Sequence, residues 1–189
     1  MSVPYPRDSE SSLSLIAFDD TLLNKAGEEA RNSPRGRSAI RLHEHGEPVQ
    51  RMLNAVEPGS YVSPHRHNTP PKPEAFVALR GSALVARFGD DGAPIEGTIV
   101  SADGPCRGVE IPPGAWHCMV SLEEGTVLFE ISQGPYDAST HKEFAPWAPR
   151  EEDYESGLAY MVELKRVFEP VLPTLSAYNM IEAEEDDLC

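Results

Sequence analysis

The apolar positions change their rhythm twice along the chain. Leu22, Leu23, Ala26 and Ala30 recur at helical spacing, which predicts a short helix from about Asp20. Asp19 or Asp20 is placed to cap it, and Asn32–Pro34 to end it. Between Arg37 and Phe144 the pattern becomes short apolar runs cut by Gly, Pro and Asp-Gly. The runs are SAIRLHE, VQRMLNAVE, GSYVSPHRH, EAFVALRG, SALVARFGD, EGTIVSADG, RGVEIPP, AWHCMVSLE and GTVLFEISQ. Many short strands joined by turns predict an antiparallel sandwich or small barrel. Helical spacing returns over residues 152–168, where Leu158, Met161, Val162, Leu164, Lys165 and Phe168 form an amphipathic stripe between Pro149 and Pro170. Its apolar face needs a partner, either the barrel or a second subunit. The expected division is a disordered tail over residues 1–19, one domain with its leading helix over 20–150, and a C-terminal helix with an acidic tail over 151–189.

Composition narrows the partners. The chain has 189 residues, 40% of them hydrophobic, enough for one domain with a core. The formal charge of −15 repels phosphate backbones and anionic membranes, so neither nucleic acid nor membrane is an expected partner. Part of that charge is local to the closing IEAEEDDLC. No apolar run approaches a membrane span, and the first residues have no basic and apolar leader, so a cytoplasmic protein is expected. Cys106, Cys118 and Cys189 are too few and too far apart for a disulfide framework or a CxxC metal pair.

The histidines bring in chemistry. His65 and His67 are two apart, so in a strand they share a face, and two imidazoles on one face can hold one metal ion. His43 and His45 repeat the spacing without the surrounding pattern and are expected to be half-buried strand residues. Downstream, Pro112, Gly114 and His117 stand in IPPGAWHCMVS, where a Pro-Pro-Gly turn leads into a strand that carries His117 and Met119 on one face. His141, in a loop, is expected to be exposed.

Gly59-x5-His65-x-His67-x6-Glu74-x6-Gly81 resembles the first cupin motif, and Pro112-x-Gly114-x2-His117 resembles the second. Two departures stand out. Six residues separate His67 from Glu74 where three or four are commoner, the extra ones lying in TPPKP, and Ser121 replaces an asparagine often found there. NSPRGR (32–37), QRMLNAVEPGSYVSPHRH (50–67), FEISQGPYD (129–137) and FAPWAP (144–149) are similar to the WbuC family of cupin-fold metalloproteins. The resemblance implies a mostly β fold: a small antiparallel cupin β-barrel, or jelly roll, with short N- and C-terminal helices. It implies one divalent transition metal (Fe, Mn, Zn or Ni) held by His65, His67, Glu74 and His117. It also implies a bacterial setting of surface polysaccharide (O-antigen) biosynthesis.

Three functions follow from such a centre. One, which the resemblance implies, is an enzyme of isomerase or epimerase type acting on a sugar or nucleotide sugar. The second is an Fe(II)-dependent dioxygenase, recognised by oxygen uptake. The third is a non-catalytic sugar- or metal-binding module. Tyr61 and Glu130 are the candidate catalytic residues. Arg35, Arg37 and Arg51 are candidates for holding a small sugar-derived or anionic ligand, since guanidinium groups pair with carboxylate and phosphate. Tyr61, Phe76, Met119, Phe129 and Glu130 are expected to line the barrel. Exposed strand edges make a homodimer the expected assembly.

Overall fold

A computed structural model describes residues 15–169. The expectations for the N-terminal tail up to residue 14 and for the acidic tail from residue 170 lie outside the described residues. Ten strands form two five-stranded antiparallel sheets. The first has the order β1 (Arg37–Arg41), β2 (Val49–Val56), β9 (Thr126–Gln133), β4 (Glu74–Arg80), β7 (Gly108–Ile111). The second has the order β10 (Glu143–Phe144), β3 (His65–Arg66), β8 (Trp116–Ser121), β5 (Ser82–Phe88), β6 (Pro94–Ser101).

Strand alternation sends every second side chain inward. Val56, Phe76, Ala78 and Leu128 from the first sheet meet Ala83, Val85, Val100 and Met119 from the second in one buried cluster. This is the barrel core. The outer faces are covered by the helices. α1 (Asp20–Arg31), capped by the Asp19 carboxylate accepting from Leu22 N, lays Leu22, Leu23, Ala26 and Ala30 on Leu53, Ala55 and Val127 of the first sheet. α2 (Tyr154–Val167) lays Met161 and Leu164 on Leu84, Ala86, Trp116, Cys118 and Val120 of the second. The partner of the C-terminal stripe is therefore the barrel. Val162, counted in that stripe, points to solvent at 68% exposure.

Three expectations are corrected. GSYVSPHRH is not a full strand, because only His65 and Arg66 pair in a ladder. His43 and His45 lie beyond the end of β1: His43 is buried and its Nδ1 accepts the Arg51 N–H at 2.8 Å, while His45 is exposed in a turn. Phe129 faces outward, stacking on Phe18 with ring centroids 5.1 Å apart and packing under α1.

Candidate metal centre

The register of the strands builds the centre. On the second sheet, His65 of β3 pairs directly with His117 of β8. On the first, Glu74 of β4 pairs with Ser132 of β9, which pairs in turn with Gln50 of β2. The next inward row on that sheet is Met52, Glu130 and Phe76. The two sheets face one another, so the histidine row looks across the barrel at the Glu74 row.

Two loops complete the geometry. The backbone of Lys72 donates to the His67 carbonyl at 3.2 Å, and an Asn68–Pro71 bridge lies within that closure. The additional residues of TPPKP are looped out, and Glu74 starts its strand in the inward position. Gly114 N donates to the same His67 carbonyl at 3.2 Å, tying the second motif to the first. Gly114 sits at φ +74°, a left-handed conformation that the Pro-Pro-Gly turn assigns to glycine. Gly81 also has positive φ, and a Cβ there would lie 2.6 Å from Thr126 Oγ1 and 3.1 Å from Thr126 Cα.

The ligand atoms offered by His65, His67, Glu74 and His117 all lie within 4.8 Å of one another, and all four residues are buried. Each imidazole is oriented by a backbone carbonyl. Nδ1 of His65 donates to Ser63 O at 2.9 Å, that of His67 to His141 O at 2.5 Å, and that of His117 to Ala115 O at 2.8 Å. A carbonyl can only accept, so the proton sits on Nδ1 and the Nε2 lone pair faces the cluster. Nε2 of His65 and of His67 are buried with no hydrogen-bond partner. His117 Nε2 lies 2.9 Å from Glu74 Oε2, and His67 Nε2 lies 3.5 Å from it. Converging lone pairs and a carboxylate in a buried site are what a cation would satisfy. The donor set, three imidazoles and one carboxylate, fits a divalent transition metal.

Electrostatics prepares the same state. Burial, followed by the charge of Lys142, holds His65 well below the usual imidazole value, so it stays neutral. Burial by itself raises Glu74, but His117 and His67 outweigh it and hold the carboxyl well below its usual range: without a metal, a second ring proton on Nε2 is what would face Glu74 Oε2, and a cation would take the place of that proton. Glu130 behaves in the opposite way. Burial, then the charge of Glu74 and a hydrogen bond to it, push Glu130 well above the usual carboxylate value. Two facing carboxyls in one buried site thus divide into one ionised and one neutral group. The Asn54 amide donates to Glu130 and fixes it.

The other sequence candidates are not brought to this centre. Tyr61 is buried on the outer side of the second sheet among α2 residues, its hydroxyl donating to Pro149 O at 2.8 Å and pushed up to about 12 by burial. Arg37 is used in the scaffold: it donates to Tyr61 O at 2.7 Å and pairs with Glu151 at 2.5 Å. Arg35 is exposed, 3.9 Å from the same Glu151. Arg51 lies on the α1 side of β2, in register with Ile131, and pairs with Glu47. His141 is half-buried, not exposed. Its ring packs 5.0 Å from His67 and 4.7 Å from Tyr136, and burial lowers it to about 4. Asn54 and His141 were missed because their partners, Glu130 and His67, are 76 and 74 residues away in sequence.

Comparison with known proteins bears on the fold. Two solved structures are similar to this chain in fold. CapF bound to 3-isopropenyl-tropolone has a TM-score of 0.51 and 23% identity over 60% of this chain. Oxalate oxidase bound to the substrate analogue glycolate has a TM-score of 0.50 and 20% identity over 76% of this chain and 82% of its own. The chain has the cupin fold. It spans about a third (32%) of the length of that CapF chain. A further CapF structure, from Staphylococcus aureus, is described as a capsular polysaccharide assembling protein, with 19% identity and a TM-score of 0.46 over 56% of this chain and 31% of its own. A family described as a domain of unknown function (DUF6016) matches residues 18–100, which include His65, His67 and Glu74 and stop short of His117. No curated protein matches the chain. Among the described residues, no helix is long and apolar enough to cross a membrane.

Proposed function

We propose that this cupin is a divalent-metal-dependent enzyme acting on a sugar or nucleotide sugar, of isomerase or epimerase type, in surface polysaccharide synthesis. The observation that carries the metal half is the buried His65–His67–Glu74–His117 group with its two unpartnered Nε2 atoms. The sugar half is supported by the resemblance of residues 32–37, 50–67, 129–137 and 144–149 to the WbuC family. CapF, a neighbour in fold, is described as assembling capsular polysaccharide, which points the same way.

A divalent ion held there polarises bound hydroxyl or carbonyl oxygens and lowers the pKa of bound water. The chain's own residues divide the remaining work. Three backbone carbonyls keep each imidazole Nε2 inward, and apolar side chains from both sheets pack the barrel interior. Glu130 holds a proton on its carboxyl oxygen beside Glu74 and is the candidate acid or base, positioned by Asn54. Tyr61 has no part in this scheme, because its hydroxyl is committed to Pro149 on the other side of the sheet.

The test is deuterium wash-in. Metal-loaded protein is incubated with a panel of nucleotide sugars in D2O under nitrogen, and carbon-bound hydrogen is followed by NMR. Exchange that needs the metal and is lost in Glu130→Gln supports the reading. No exchange with any sugar, together with oxygen uptake under Fe(II), replaces it with the dioxygenase reading.

A further inference from the structure

Two lysines stand beside the metal centre of a strongly acidic chain. Net charge is −15, and the chain has only four lysines, Lys25, Lys72, Lys142 and Lys165. Two of these four adjoin the metal centre. Lys72 comes two residues before Glu74 and is 7% exposed, its Nζ donating to Pro135 O at 3.1 Å. An ammonium has three donors, so this single carbonyl leaves it capacity. Lys142 lies between His141, whose carbonyl holds His67, and Glu143, whose strand pairs with that of His65. The side chain of Lys142 is exposed, and its charge is felt at His65, Glu130 and His141. Among the described residues neither lysine lies in a salt bridge, whereas Arg37, Arg66 and Arg87 are held by Glu151, Glu143 and Glu96. Inside the rim, Ser132, in direct register with Glu74, is 6% exposed and its buried Oγ has no hydrogen-bond partner.

We infer that the centre receives a small anion, a carboxylate or a phosphate group, whose charge is taken by Lys142 and Lys72 and which accepts a hydrogen bond from Ser132. The inference rests on the metal-centre reading. It moves anion recognition from the arginines before the first motif to the lysines of the two loops at the barrel mouth.

Calorimetric titration of the Mn(II)-loaded full chain tests it, with glycolate, neutral glycolamide and inorganic phosphate as probes. Glycolate or phosphate is expected to bind, and glycolamide to bind more weakly than glycolate. Comparing the two anions tells carboxylate from phosphate. Lys142→Ala, at an exposed position, is expected to weaken the preferred anion roughly ten- to hundredfold, the loss of one charge-assisted hydrogen bond. Lys142→Arg should recover most of it, and metal content should stay at the wild-type level in both variants. Unchanged anion affinity in Lys142→Ala, or equal affinity for glycolate and its amide, overturns the inference while leaving the metal centre standing. If the wild type takes up no metal, the metal reading fails separately. The phosphate comparison between wild type and Lys142→Ala is then read on the metal-free protein, with the same two outcomes.

Discussion

Replacing Gly157 with alanine should reverse its usual effect on a helix, because of Tyr61. Alanine in place of glycine inside a free helix is favourable by about 1 kcal/mol. Here a Cβ at position 157 would lie 2.4 Å from Tyr61 Cδ1 and 2.7 Å from Cγ. Carbon atoms rest about 3.5–4.0 Å apart, so the ring or the helix must shift by roughly 1 Å. The ring has little freedom: Tyr61 is 4% exposed and its hydroxyl is tied to Pro149 O. Overpacking of this kind costs about 1–3 kcal/mol. With Tyr61 cut back to alanine the clash is gone and only the helix gain remains. Gly157→Ala should therefore be neutral to destabilising by about 2 kcal/mol in the wild type, and stabilising by about 1 kcal/mol in a Tyr61→Ala background. Urea melts of the four proteins give the coupling directly. Equal effects in both backgrounds would refute the packing of α2 on Tyr61 and reopen that tyrosine as a site residue.

Other outcomes follow from the same geometry. A metal present at about a hundred times its Kd stabilises by about 2.7 kcal/mol. Thermal melts should therefore rise by roughly 5–10 °C on loading, and His65→Ala should abolish the rise. The Cys118 thiol, pushed up to about 12 by complete burial, should resist thiol reagents at pH 8 in the folded protein, whereas half-buried Cys106 should label before Cys118; peptide mapping by mass spectrometry reads both. His141 is held down to about 4 by burial. Below pH 6.5 the unfolded chain binds a proton there that the native chain refuses, so stability of the metal-free protein should fall as pH drops from about 6.5 to 4. His141→Asn should flatten that decline in urea midpoints. Arg37→Ala should lower the urea midpoint without changing metal content, since its contacts to Glu151 and Tyr61 O belong to the scaffold.

The sequence made some of these positions readable and hid others for physical reasons. His65, His67 and His117 could be found because turn and strand place them locally, the Pro-Pro-Gly turn aiming His117 and the short spacing pairing the other two. Glu74 kept its place despite the long spacing, because Lys72 N returns to His67 O and loops the added residues out. Tyr61 was misplaced because GSYVSPHRH reads as one strand, and residues 60–64 are not in one. Arg51 shows the opposite limit: strand alternation predicts two faces but does not say which one α1 will cover. Arg37 read as a ligand-binding group because its acid, Glu151, is 114 residues away. The contribution of His141 rests on its backbone carbonyl, which no side-chain pattern encodes.

The central claim is a metal held by His65, His67, Glu74 and His117. Elemental analysis of untagged wild-type protein beside a His67→Ala/His117→Ala double variant tests it most directly. About one equivalent of a transition metal in the wild type, absent from a variant whose β-sheet circular dichroism is unchanged, is the predicted result. Full metal content in the variant, or none in the wild type after reconstitution with Fe(II), Mn(II), Zn(II) and Ni(II) in turn, would contradict it.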